Sequence, residues 1–326
     1  MPKHKDTEFL YLSTLVRAKM EALMKTEQFD RMISAESDGE IQRILEEHGL
    51  QGVSVRDIVG LDRAINKRMG DILEELANRS PDPRIMDVFR IKYDYHNAKV
   101  LLKAQAAGVE GARLMSKGGR VAPEVFADRY YQGVTLDIPL ALSKAMKEAK
   151  DILAKTGDAQ GADIILDRAM YEEYFLLAKE LEDEFLASYV RDMIDCTNLK
   201  TVVRATRMGL DYQGVLDLLI PGGNTLPARA AESANLESVY ANTPFEPAAI
   251  AGFVALTEGD LTRFERLCDE ALGVSLRRGR LIAFGVAPLI AYMAALENEA
   301  QSIRIVVSSK SAGVAPEAIR ERLRDA

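Results

Sequence analysis

Two stretches of this chain set a carboxylate, a carboxamide and an amine close together, and a third stretch echoes them. The first is Asp94, Asn97 and Lys99, and the second is Asp195, Asn198 and Lys200. The third carries Glu299, Ser302 and Arg304 in the same register. An acid beside an amide and a cation could serve proton transfer, but catalysis of that kind needs a nucleophile or a base within reach. No neighbour in sequence supplies one. The spacing favours packing. Asp94, Asn97, Leu101, Ala104 and Gly108 follow steps of three and four, and therefore share one face of a helix. Asp195, Asn198, Val202, Ala205 and Gly209 repeat the pattern, as do Glu299, Ser302, Val306, Ser309 and Gly313. The expectation is a buried seam with a polar fastener. Its Asn would bond backbone groups, and its glycine would stop the helix in the left-handed conformation.

Other chemistry finds little support. His4, His48 and His96 are isolated, with no His or Cys at ligand spacing. His96, beside Asn97, reads as a surface or seam residue. Cys196 and Cys268 show no metal or redox spacing and read as small buried hydrophobes. Glu180, Glu182, Asp183 and Glu184 form an acidic cluster, yet they lack the aspartate pattern of metal-dependent prenyl chemistry and read as a solvated helix face. The breakers at 116–119, 157–161 and 221–224 do not have the spacing of a phosphate-cradling loop. Neither a catalytic, a cofactor-binding nor a metal site emerges.

The elements that must carry the motif are helices. Lys99 and Lys200 lie 101 residues apart, and Lys200 and Arg304 lie 104 apart. A solenoid unit is shorter, ~20–50 residues, whereas a domain is typically ~100–150. One helical module used three times is the reading, with boundaries at 1–108, 109–209 and 210–326. Leu61-Asp62-Arg63-Ala64 recurs as Leu166-Asp167-Arg168-Ala169, and a turn at Ser80-Pro81-Asp82-Pro83 accounts for a four-residue difference in the spacing that follows. Helices are expected over 9–24, 38–47 (capped by Ser37 or Asp38), 61–76, 85–105 and 140–155. A long one over 164–208 should break near Ser188. The last third should hold helices at 246–258, 261–271, 281–308 and 316–323.

Composition agrees with an all-α protein: 48% hydrophobic, 28% charged and no Trp. The net charge of −8 is spread as −1, −3 and −4 over the three modules, so nucleic acid is not an expected partner. Arg277, Arg278 and Arg280 form the one tight basic cluster. The uncharged run from Leu281 to Leu296 falls short of the ~20 residues a bilayer core needs, and reads as a buried helix. With only two cysteines and no recognisable signal peptide, the chain fits a reducing cytoplasm.

The chain resembles the C subunit of the archaeal and bacterial A/V-type rotary ATPases, the counterpart of the eukaryotic d subunit. Four stretches carry the resemblance: Tyr11 with Val16-Arg17-Ala18 and Leu23; Asp94 to Lys99; Asp195 to Lys200; and a tail with Phe284-Gly285, Ala291-Tyr292, Glu297 to Glu299, Arg304-Ile305, Lys310 and Ile319 to Leu323. Departures are Val286-Ala287-Pro288, Ser302 where an Asn is usual, and an end at Asp325-Ala326 without the usual aromatic tail. The resemblance implies three helical domains around a pseudo-threefold axis, forming a funnel. Its mouth would receive the D and F subunits of the axle, and its base would rest on the membrane proteolipid ring. The part would be non-catalytic, bind no nucleotide or cofactor, and lie at the inner face of the membrane. Arg277, Arg278 and Arg280, with the loop at Gly222 and Asn224, are its candidate partner-binding rims. Two other readings stand beside it: an all-helical enzyme using Glu180 to Glu184, and a helical protein-binding scaffold.

Overall fold

The computed structural model describes residues 4–134, 138–259 and 261–323. Among them there is no strand. The chain runs through α1 (Leu10–Glu21), α2 (Thr26–Ser34), α3 (Asp38–Glu47), α4 (Ile58–Arg79) and α5 (Asp87–Ala107). Next come α6 (Pro123–Gln132), α7 (Leu140–Thr156), α8 (Ala159–Leu181) and α9 (Glu184–Arg207). Short helices α10 (Tyr212–Leu218), α11 (Pro227–Ala230) and α12 (Leu236–Val239) precede α13 (Glu246–Glu258), α14 (Thr262–Leu281), α15 (Val286–Ser311) and α16 (Pro316–Arg322).

Local chemistry sets many of these boundaries. Ser37, Asp158 and Asp211 cap α3, α8 and α10 by accepting from backbone N–H groups three residues on. Proline stands in the first turn of α6, α11, α13 and α16, where its missing N–H costs nothing. The expected turn at Ser80–Pro83 is present. Asp82 accepts from the Arg84 N–H and opens a short 3-10 turn ahead of α5.

Several boundaries differ from the sequence reading, among them the end of α14, expected at Ala271 and found at Leu281. The long helical stretch breaks at Glu182 and Asp183, not at Ser188. Glu182 adopts a left-handed φ of 50°, and Asp183 accepts from the Leu186 N–H at 2.7 Å to start α9. The helix expected from Leu281 begins only at Val286. Residues 282–285 form a link between α14 and α15, and Gly285 turns the chain at φ 107°. The short helices at 26–34, 123–132 and 212–218 are additional to those expected, and Phe29, Met32 and Ile33 give the first of them a buried face. Asp325 and Ala326 lie outside the described residues.

Two compact units are formed, one over Leu73–Val190 and one joining His4–Ile72 to residues 191–323. In the first, α5 packs on α7 and α8, which also pack on each other. In the second, α14 packs on α13 and α15, while α1 and α2 pack on α15 and α16 on α2. Nearly every residue from Val286 to Leu296 is buried, so the apolar run is core. No helix of the described residues is long and apolar enough to cross a membrane.

The core under α13 shows how tightly the second unit is packed. Phe264 is wholly buried there with Val202, Val203, Tyr240 and Phe245. A methyl group added at Gly252 would come within 2.9 Å of both Phe264 and Val203. Phe264→Ala should therefore cost ~3–5 kcal/mol in urea unfolding. Phe253→Ala, on the exposed side of α13, should stay within ~0.5 kcal/mol. Equal losses in the two variants would contradict this packing.

Candidate functional site

The three motif stretches lie on α5, α9 and α15, and their seam positions are buried in all three as far as the terminal glycine, which is exposed. Each helix ends alike. Gly108, Gly209 and Gly313 adopt φ of 68°, 84° and 70°. The N–H of the next residue reaches back to Ala104, Ala205 or Ser309 at 3.0, 3.1 and 2.9 Å. This is the hydrogen-bond pattern of a glycine-stopped helix, so the small seam residue also receives the terminal bond.

The Asn acts as the expected fastener. Asn97 clasps both backbone groups of Ser116, accepting from its N–H at 2.7 Å and donating to its carbonyl at 2.9 Å. Asn198 does the same to Ile220, at 2.9 and 2.8 Å. Ser302 takes this place on α15 and has too little reach to copy the clasp. It lines a cavity of about 340 Å³ together with Leu23, Met24, Phe29, Ala295 and Arg280.

The acid three residues earlier holds the same loop further along. Asp94 accepts from the N–H groups of Arg120 and Val121 at 2.9 and 3.3 Å. Asp195 accepts from Asn224 and Thr225 at 3.0 and 3.1 Å. The loops approach so closely that a Cβ at Gly119 or Gly223 would lie 2.2 Å from the carboxylate oxygen. Glu299 accepts instead from the Met24 N–H at 2.8 Å, so its backbone partner comes from the junction of α1 and α2. Burial pushes the Asp94 and Asp195 carboxyls above the usual range, against the pull of their donors.

Cations complete each arrangement differently. Beside Asp94, the Arg120 guanidinium bonds the carboxylate at 2.6 Å and reaches Glu173 on α8, which also accepts from the Tyr95 hydroxyl at 3.0 Å. Beside Asp195, the neutral Asn224 donates to Asp192 at 2.9 Å, and Asp192 accepts from Ser275 on α14. Beside Glu299, Arg68 on α4 bonds the carboxylate directly at 2.7 Å. Arg68, Glu173 and Ser275 occupy matching places six residues after Asp62, Asp167 and Asp269.

The motif cation meets a carboxylate on the neighbouring helix in every case. Lys99 pairs with Asp167 and Lys200 with Asp269, both at 2.6 Å, and Arg304 pairs with Asp62 at 2.7 Å. Asp62 and Asp167 belong to the repeated Leu-Asp-Arg-Ala stretch. Cys268-Asp269-Glu270-Ala271 is its third copy, and only the Asp and Ala survive there. Sequence reasoning saw the echo but not its partner, and it passed over Gly118-Gly119 and Gly222-Gly223 as plain breakers. The signal that links them is the recurrence of Gly-Gly 21 and 24 residues after the two Asn residues.

The remaining candidates fall elsewhere. Arg277, Arg278 and Arg280 are exposed in the last turn of α14. The Gly222–Asn224 loop is tied to Asp195 through the Asn224 N–H at 3.0 Å. Glu180, Glu182 and Glu184 are exposed around the α8–α9 junction, and Glu180 pairs with Arg84 at 2.9 Å. They face solvent, not inward as the acidic cluster of an enzyme cleft would. His96 is exposed. Among the described residues, no group of His, Cys, Asp or Glu is arranged to hold a metal.

The clasps and the cation pairs can each be tested by substitution. Asn97→Leu and Asn198→Leu each strand a peptide N–H and carbonyl, and should each cost ~1–3 kcal/mol in urea or thermal melts. Wild-type stability in both would mean that the clasps contribute nothing. For the cation pair, Lys200→Ala and Asp269→Ala should each destabilise by ~1.5–3 kcal/mol, because the bond is charge-assisted and half-shielded. The double variant should lose less than the sum, and strict additivity would show that the two groups are uncoupled.

Comparison with known proteins gives these seams a setting. The C subunit of a V-type sodium ATPase from Enterococcus hirae is 25% identical, with 97% of this chain and 98% of that protein aligned. The C subunit of an A-type ATP synthase from Methanothermobacter thermautotrophicus is 26% identical over 95% of this chain and 86% of its own length. Its counterpart from Methanocaldococcus jannaschii is 21% identical, covering 97% and 86%. The family model for the ATP synthase (C/AC39) subunit matches residues 12–322, which take in all three motif helices and the N-terminal residues bound to the last of them. The chain belongs to the ATP synthase (C/AC39) subunit family.

Proposed function

We propose that the chain works as a load-bearing coupling in the central stalk of an A/V-type ATPase, joining the D and F subunits of the axle to the membrane proteolipid ring. As a member of its family it is a structural subunit of the complex, not the part that performs ATP chemistry. Three helical modules, 1–108, 109–209 and 210–326, would stand around a pseudo-threefold axis as a funnel. The carrying observation is the order of the cation pairs. The first module's Lys99 holds Asp167 of the second, Lys200 of the second holds Asp269 of the third, and Arg304 of the third returns to Asp62 of the first. A cycle of like joints suits a part that must pass torque without shearing. Such a joint resists sliding because helix packing and charge-assisted bonds fix one register.

The N-terminal residues fit the same scheme. In the third seam, α1, α2 and their junction serve in place of the Gly-Gly loop, which is not found among the described residues after the motif helix. Lys310 donates to the carbonyls of Ile33 and Ala35 at 2.7 and 2.8 Å, and Arg320 pairs with Asp30 at 2.9 Å. Helices α1 and α2 would thus close the third module and fasten the cycle.

A coupling needs surfaces for its neighbours and no reaction centre. The exposed Arg277, Arg278 and Arg280 turn of α14 is the proposed polar rim for the axle. The purified protein should bind an axle of D and F most tightly at low ionic strength, since exposed charges are screened over ~10 Å at 0.1 M salt. Changing the three arginines to Glu should weaken that binding, and the lone protein should turn over no ATP. Absence of binding at every salt, together with ATP turnover, would overturn the function. Unchanged binding by the triple variant would remove only this rim.

A further inference from the structure

The chain has only two cysteines, and they meet. Cys196 on α9 and Cys268 on α14 are 72 residues apart in sequence, yet the Cys196 thiol donates to the Cys268 carbonyl at 3.6 Å. Both lie in the core that joins the two helices. Their places are set by the repeat. Cys196 follows the motif Asp195, and Cys268 precedes Asp269, the partner of Lys200. In the other two seams the matching positions carry Tyr95 with Leu166 and Ala300 with Leu61. Only this seam can be joined through sulphur.

We propose that Cys196 and Cys268 are an oxidative modification site, at which a peroxide forms an intramolecular disulfide that staples α9 to α14. The Cys196 sulphur already lies 3.6 Å from the Cys268 carbonyl oxygen, and a disulfide joins residues whose Cβ atoms come within ~3.5–4.5 Å. The Lys200 ammonium lies one turn beyond Cys196. The neighbouring Cys268 side chain, with Lys200 in support, holds the Cys196 thiol below its ordinary range, while burial pushes the Cys268 thiol up. Cys196 is therefore the attacking sulphur and Cys268 the resolving one.

The steps balance with peroxide as the oxidant. The Cys196 thiolate attacks one oxygen of hydrogen peroxide and breaks the O–O bond, giving a sulfenic acid and, after proton transfer, water. Cys268 then attacks the sulfenic sulphur and displaces its hydroxyl as a second water. Two S–H bonds are lost, one S–S bond forms, and one peroxide becomes two waters. A reductant thiol reverses the link by exchange. Neither cysteine is more than 5% exposed, so the small oxidant must enter through local opening, and the reaction should be slow and specific.

The test uses the full-length protein under native conditions with hydrogen peroxide. Thiols titrated after unfolding should fall from two to zero, with loss of two hydrogens from the intact mass and a linked peptide containing Cys196 and Cys268. Dithiothreitol should restore both thiols. Cys196→Ser and Cys268→Ser should each show no such loss of two hydrogens, and neither should form the linked peptide. Retention of two titratable thiols in the folded wild type, while the urea-unfolded chain oxidises, would overturn the proposal. So would oxygen added to separate cysteines, or a link found only between two copies of the chain.

Discussion

A carboxylate buried beneath a helix seam is the constraint from which the rest follows. Asp94, Asp195 and Glu299 are almost wholly removed from water, and an acid in that position must find donors or a proton. The raised pKa values of Asp94 and Asp195 express the cost. The folded form holds the proton more readily than the unfolded one. These two groups therefore subtract from stability above the folded pKa, and that loss fades as pH falls toward the ordinary Asp value. The acids do not drive folding. What they impose is register, since a helix slipped by one turn would bury the same charge without its backbone N–H groups.

The three solutions to that constraint differ in charge while keeping their geometry. Where the loop supplies a guanidinium, as Arg120 does, the facing helix offers Glu173. Where the loop supplies the neutral Asn224, the facing helix offers Ser275, with Asp192 between them. Where the chain supplies only Met24, the facing helix carries the cation itself, as Arg68. Loop and helix residues are thus exchanged together, and each acid keeps its complement of donors. This compensation explains how three stretches so different in side chains support one local architecture.

Sequence showed the periodicity far better than the partners. The seam face, the glycine stops and the clasping Asn are local to one helix, and steps of three and four residues reveal them. The cation partners lie 68, 69 and 242 residues away, and the third copy of their stretch keeps only Asp269 and Ala271. The break at Glu182 was hidden because acidic residues propagate a helix well, and nothing in their type announces a left-handed turn. The third seam was least legible of all. Its backbone donor comes from Met24, 275 residues from Glu299, and no local pattern in either segment points to the other.

That third seam also shows why equal repeats need not be equally strong. Lys103 and Asp163 add a second pair beside the first motif cation, and Arg204 and Glu265 do so beside the second. The matching positions of the third hold Ser308 and Ile58, which cannot pair. Its Asn is replaced by Ser302, which lines a cavity instead of clasping a loop. Compensation comes from chain connectivity. Lys310 and Arg320 tie the end of the chain to α2 and the residue after it, fixing one segment near each terminus. In the other seams the loop that meets the motif acid follows directly from the motif helix. In the third, the segment that meets it lies 275 residues earlier, at the junction of α1 and α2, so this joint is closed by a long-range contact where the others close locally.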